Sequence, residues 1–81
     1  MRVTVSFYSY FKELAGTDKL TEELPERATL KELLDKLGKR IPKMESMKKS
    51  MLLAVGVDYQ PRDYTLKDGD EVSLFPPVQG G

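Results

Sequence analysis

Residues 29–41 read Thr-Leu-Lys-Glu-Leu-Leu-Asp-Lys-Leu-Gly-Lys-Arg-Ile, and this stretch decides the fold. Its apolar residues recur every three or four positions, which places them on one face of a helix. Thr29 and Glu32 have the spacing of a capping box, in which each side chain binds the backbone N–H of the other. We therefore predict a helix over residues 29–40, and Pro42 limits its far end. The apolar stripe consists of Leu30, Leu33, Leu34, Leu37 and Ile41.

Segments with strand patterns lie on both sides of this helix in the chain. Residues 2–8 alternate between apolar and polar side chains, and residues 19–24 do so more weakly. Residues 51–59 and 71–75 are predicted as two further strands, and residues 9–16 as a short helical turn. One helix can cover only one face of a sheet. The sequence therefore predicts an α+β fold, a mixed sheet packed on one face by one main helix.

The connections between these segments are less regular. Residues 43–50 fit either an irregular loop or one further helical turn. Leu66 is predicted to fill the core, and residues 67–70, Lys-Asp-Gly-Asp, form a turn because glycine tolerates positive φ. Asp68 and Asp70 could be read as paired catalytic carboxylates, but beside a glycine we interpret them as turn formers.

The composition excludes several classes of function. The chain has 81 residues, which is the length of one domain, and it contains neither cysteine nor histidine. It therefore lacks a thiol nucleophile, a disulfide, an imidazole base and the usual zinc ligands. Thirteen basic residues balance thirteen acidic ones, which argues against nucleic-acid binding. We expect a cytoplasmic protein without a membrane or targeting segment, because small secreted domains usually depend on disulfides.

The last six residues have a different character from the rest. Pro76 and Pro77 cannot donate to a sheet ladder, so strand pairing stops there. We predict a folded domain over residues 1–75 and an extended, flexible tail over residues 76–81. An inert tail is the alternative reading of a terminal glycine pair.

The carboxylate of Gly81 is the candidate reactive group. Its pKa is about 3.5, so it is ionised at neutral pH and is a poor acyl electrophile. A separate ATP-using enzyme could activate it as an acyl-adenylate. Glycine suits this chemistry, because a backbone without Cβ atoms can enter a narrow channel.

Residues 68–81, Asp-Gly-Asp-Glu-Val-Ser-Leu-Phe-Pro-Pro-Val-Gln-Gly-Gly, resemble the C-terminus of MoaD-like proteins in the MoaD/ThiS family of sulfur carriers. Residues 10–16, Tyr-Phe-Lys-Glu-Leu-Ala-Gly, resemble the R-E-L-A-G turn of that family. The resemblance covers nearly the whole chain, and residues 43–50 follow no pattern of the family. It implies a ubiquitin-like β-grasp fold and a sulfur-carrier role in molybdopterin synthase.

The family mechanism implies a role for the terminal residues. A MoeB-like enzyme uses ATP to adenylate Gly81, and sulfur then replaces oxygen to give a thiocarboxylate. The loaded tail enters a MoaE-like large subunit, which is expected to carry the catalytic residues, in a heterotetramer. There it donates sulfur to cyclic pyranopterin monophosphate and forms the molybdopterin dithiolene. The chain itself would bind no cofactor or metal, and the residues threading the partner's channel would be Gly80, Gln79, Val78, Pro77 and Pro76.

Aromatic residues on the predicted outer face are candidates for partner binding. Alternation points Tyr8 and Phe75 away from the helix side, and Tyr59 ends a predicted strand. The family docks through its sheet face and tail, which fits these positions. The alternative is that single aromatic residues are scattered over the surface, as is normal in proteins.

Two other carrier-like functions share the same terminal chemistry. One is the sulfur carrier of the thiamine pathway, and the other is a ubiquitin-like modifier joined to lysines of target proteins. A β-grasp interaction module with an inert tail is a third alternative. A stand-alone enzyme is disfavoured, because the sequence has no phosphate-binding glycine loop and no nucleophile with an adjacent base.

Overall fold

The computed structural model describes residues 1–77. This part of the chain forms five β-strands and three helices, and the longest helix lies in the middle of the sequence. The elements are β1 (Arg2–Phe7), α1 (Tyr10–Ala15), β2 (Lys19–Glu23), α2 (Leu30–Arg40), α3 (Pro42–Glu45), β3 (Leu52–Val55), β4 (Asp58–Tyr59) and β5 (Glu71–Phe75).

The strands form one mixed sheet in the order β2-β1-β5-β3-β4. The central pair β1 and β5 is parallel, and the other neighbours are antiparallel. The apolar stripe of α2 is buried with the inner side chains of the sheet, so one face carries the core. This arrangement confirms the predicted α+β class and the ubiquitin-like β-grasp fold. The sheet contributes Val3, Val5, Phe7, Leu53, Val55, Val72 and Leu74 to that core.

Helix α2 begins where the sequence predicts. The Thr29 side chain accepts a hydrogen bond from the Glu32 N–H at 3.3 Å, which is one of the two bonds of a capping box. The N–H groups of the first turn donate to the loop before β5, Leu30 to the Tyr64 carbonyl at 3.0 Å and Lys31 to the Arg62 carbonyl at 2.8 Å. The N-terminal donors of α2 are therefore satisfied within the fold.

The prediction of one continuous strand over residues 51–59 is wrong. The segment is a hairpin, in which β3 and β4 pair through Ala54 with Tyr59 and Val55 with Asp58. Gly56 has a φ of 63°, in the left-handed region, and this reverses the chain within two residues. The sequence reading took Gly56 as an interior strand residue.

The structure decides between the alternatives left open for residues 43–50 and for the aspartates of the turn at residues 67–70. Residues 43–50 adopt the helical alternative, since they begin inside α3, which ends at Glu45, and turns follow it. The Asp68 carboxylate accepts from the Arg2 N–H at 2.8 Å, and that of Asp70 from the Lys67 N–H at 2.8 Å. Both aspartates therefore form the turn before β5, as predicted.

Candidate functional site

The outer face of the sheet is not covered by any helix among the described residues. The register aligns one row of outer side chains across four strands, because Ser73 on β5 lies beside Ser6 on β1 and Ala54 on β3, and Ala54 pairs with Tyr59 on β4. Most of this row is small, whereas Tyr59 at the edge of the sheet is 70% exposed. An exposed aromatic ring on this uncovered face, next to a predicted tail, is a candidate for partner binding.

A second row of outer side chains lies at the end of β5. The rings of Tyr8 and Phe75 stack with centroids 4.7 Å apart and an interplanar angle of 13°. The Tyr8 N–H donates to the Leu74 carbonyl at 3.3 Å, which carries the β1–β5 pairing one residue beyond β1. Leu52 pairs with Phe75 from β3 and completes the row.

We call Tyr8, Leu52, Tyr59 and Phe75 together the aromatic face. The structure brings the predicted residues Tyr8 and Phe75 into contact, and it places Tyr59 on the same face two strands away from β5. Tyr8 is 45% exposed, whereas Phe75 is half-buried under the stack. Their role in binding stays a prediction.

The predicted tail begins directly at this face. Strand β5 ends at Phe75, and the half-buried Pro76 and Pro77 follow it. The other predicted site residues, Val78, Gln79, Gly80 and Gly81, lie outside the described residues. The structure therefore describes the point from which they continue, beside the Tyr8–Phe75 stack.

Sequence reasoning missed Val57, an exposed apolar residue, and Leu52, a half-buried residue of the aromatic face. Leu52 belongs to it through its pairing with Phe75, and Val57, at the turn of the β3–β4 hairpin, is 97% exposed. Recognising Gly56 as a hairpin turn would have revealed Val57 as a turn residue, whereas the place of Leu52 depends on pairing with the distant strand β5.

The groups with shifted pKa values are ion-paired side chains away from the aromatic face. A hydrogen bond from Arg2, at 3.0 Å, lowers the pKa of the Glu23 carboxyl. Lys48 lies 2.7 Å from the Asp35 carboxylate and lowers its pKa, and its bonds to Asp35 and Glu45 raise the pKa of Lys48 itself. Shifts of this origin indicate structural ion pairs rather than an acid–base catalyst.

Two other kinds of feature are absent from residues 1–77. No group of three or more acidic, histidine or cysteine side chains there is arranged to hold a metal ion. None of the helices in the same stretch is long and apolar enough to span a membrane.

Known proteins resemble this chain over its whole length. A molybdopterin synthase sulfur carrier subunit from Chlamydomonas reinhardtii is 35% identical over 83 residues, which cover 100% of both chains. A solved structure assigned as subunit 1 of molybdopterin-converting factor, from Pyrococcus furiosus, superposes with a TM-score of 0.87 at 35% identity. That alignment covers 96% of this chain and 99% of the other.

A third relative was solved as part of an assembly. One chain of the complex of subunits 1 and 2 of molybdopterin-converting factor from Helicobacter pylori has a TM-score of 0.70 and 27% identity, with 100% of each chain covered. The model of the ThiS family matches residues 5–81, which include the stacked pair, the two prolines and the terminal glycines. Since this match spans nearly the entire sequence and full-length relatives share the fold, the chain belongs to the ThiS family.

Proposed function

We propose that this chain is the sulfur-carrier subunit of a molybdopterin synthase. The observation that carries the proposal is the aromatic face at the point where the chain leaves β5 towards Gly81. A carrier needs a surface by which a partner holds it, next to a reactive end that the partner can take up. The full-length relative from Chlamydomonas reinhardtii, which is named as such a subunit, supports the same function.

The proposed chemistry takes place at the Gly81 carboxylate. One of its oxygens attacks the α-phosphorus of ATP in an activating enzyme of the MoeB type, and pyrophosphate leaves. A donor then supplies sulfur at the oxidation level of sulfide, which attacks the acyl carbon and displaces AMP, so that a thiocarboxylate is formed. This group is a sulfur nucleophile, which a chain without cysteine otherwise lacks.

The proposed acceptor of the sulfur is cyclic pyranopterin monophosphate, bound by a large subunit of the MoaE type. The aromatic face would bind that subunit while residues 76–81 enter its channel. The Helicobacter pylori relative was solved with a second subunit, which supports a partner of this kind. A heterotetramer of two carriers and two large subunits is the assembly that we propose.

Intact mass measurement tests the loading step. The chain is co-expressed with a MoeB-type enzyme and its sulfur source, and we expect a mass gain equal to the exchange of one oxygen atom for sulfur. The control carries one additional alanine after Gly81, which leaves residues 1–77 unchanged and should give no gain. Recovery of the free acid alone from the original chain would contradict the proposal.

A second measurement tests the partner. The loaded chain is mixed with a MoaE-type large subunit and cyclic pyranopterin monophosphate, and we expect a complex that forms the dithiolene product. Isopeptide-linked products on target lysines, without such a complex, would instead identify a protein modifier.

A further inference from the structure

Arg62 binds two main-chain carbonyl groups in the segment that leads into β3. Its guanidinium donates to the Lys48 carbonyl from both Nε, at 3.1 Å, and Nη2. Nη2 also donates to the Met51 carbonyl at 2.9 Å. The backbone carbonyl of Arg62 accepts from the Lys31 N–H in the first turn of α2, at 2.8 Å. One half-buried residue therefore ties the end of the segment 46–51 to the loop that caps α2.

The register of the β3–β4 hairpin explains why the Met51 carbonyl is bound by the Arg62 side chain and not by a backbone N–H. The Gln60 N–H donates to the Leu53 carbonyl at 3.1 Å, one step beyond the last named pair of β3 and β4. If the hairpin continued by two more pairs in the same register, Arg62 would lie opposite Met51. Strand β4 has already ended, and the Arg62 guanidinium, rather than a backbone N–H, binds the Met51 carbonyl.

One of the two carbonyls that Arg62 binds, that of Met51, is adjacent in sequence to a residue of the aromatic face. Met51 immediately precedes Leu52, and Leu52 forms the last pair of β3 with β5, opposite Phe75. The next hydrogen-bonded pair of this ladder would join Ser50 and Pro77, and proline lacks the N–H to form it. The Leu52–Phe75 pair is therefore the last pair of its ladder, with no further pair beyond it within residues 1–77.

We propose that Arg62 is a positioning residue for the aromatic face. By holding the Lys48 and Met51 carbonyls it fixes the start of β3, and with it the Leu52–Phe75 pair from which the chain continues to Pro76. Arginine suits this task, because its planar fork offers several donors in a fixed geometry, whereas lysine offers a compact point charge. The consequence for sulfur transfer rests on the proposed function, but the effect on the pair does not.

Amide hydrogen exchange tests the effect on the pair directly. In Arg62→Met we expect the Leu52 and Phe75 amides to exchange about tenfold faster, because bonds from a charged donor are lost. The matched control is Lys49→Met, which removes an exposed cation from the same segment but leaves both carbonyls bound. The amide of Val5 in the centre of the sheet is the internal reference, and it should change in neither variant. In Arg62→Lys, which keeps one ammonium donor, we expect an intermediate rate.

Steady-state kinetics test the consequence for sulfur transfer. With thiocarboxylated chain as substrate of a MoaE-type large subunit, we expect Arg62→Met to raise KM about tenfold and to leave kcat within about twofold. A variant that was merely less folded would lower the active fraction instead. Should Arg62→Met fail to fold, the same two measurements on Arg62→Lys decide the question.

Each outcome assigns a failure to one of the two proposals. Unchanged exchange at Leu52 and Phe75 in Arg62→Met, or an equal change in Lys49→Met, overturns the positioning role. Faster exchange with an unchanged KM overturns its consequence for transfer. Faster exchange in a protein whose original chain is never loaded with sulfur refutes the proposed function and leaves the positioning role supported.

Discussion

At the scale of single residues, Glu22 is a charged side chain on the core side of an edge strand. It lies opposite Val3 across β1 and β2 and is only 2% exposed. Lys36 lies 3.2 Å from one of its carboxylate oxygens, and Arg40 binds the other, while both cations remain exposed to water. An inward-pointing charge on an open edge discourages pairing with a strand of another molecule.

The buried carboxylate of Glu22 and its two exposed cations should respond differently to substitution. We expect the double variant Lys36→Met/Arg40→Met to lower the free energy of unfolding by about 3 kcal/mol, because a buried carboxylate is left without partners. Glu22→Leu should stay within about 1 kcal/mol of the original chain, because the cations it leaves behind are solvated and leucine fits an apolar side. Urea unfolding measures both, and an equal loss in the two variants would contradict the asymmetry.

At the scale of elements, the β3–β4 hairpin depends on the left-handed conformation of Gly56. We expect Gly56→Ala to cost about 1 kcal/mol, because an L side chain is strained at a φ of 63°. Val57→Asn is the matched control, since that neighbouring side chain is fully exposed and asparagine is accepted in turns. Thermal unfolding compares the two, and a Gly56→Ala variant as stable as the control would contradict the role of the turn.

A second element-scale prediction concerns the ion pairs between α2 and the segment after α3. The pKa of Asp35 is lowered by Lys48, so its contribution to stability is present above its unfolded pKa and is lost as the pH falls through the lowered folded pKa. We expect the difference in Tm between the original chain and Asp35→Asn to be constant down to about pH 4 and to shrink below it. A difference that persists at pH 2 would contradict this origin.

Elements were predictable from sequence where one periodicity decides them. The leucine spacing of residues 29–41 gave α2, and the alternation of residues 2–8 gave β1, because each pattern is local. The hairpin at Gly56 was missed because an apolar run fits a continuous strand as well as two short ones. The contact of Tyr8 with Phe75 depends on parallel pairing between distant segments, and neither segment alone encodes it.

At the scale of the whole molecule, the parallel pairing of β1 with β5 joins the two ends of the described chain. It buries Val5 beside Val72 on the inner face and sets Tyr8 beside Phe75 on the outer face. The core and the aromatic face thus depend on the same two strands but use opposite sides of them. Substitutions on the outer face should therefore separate binding from stability.

Tyr59 allows this separation to be measured. Its side chain is largely in solvent, so we expect Tyr59→Ser to change the free energy of unfolding by no more than about 0.5 kcal/mol. Exposed aromatic residues often supply the binding energy of an interface, so the affinity for a MoaE-type large subunit should fall about 30-fold. The matched control is Lys39→Ser on α2, an exposed side chain on the helix that covers the opposite face of the sheet. Calorimetric titration of both variants measures the affinities, and an equal loss in the two would show that the partner does not bind through the aromatic face.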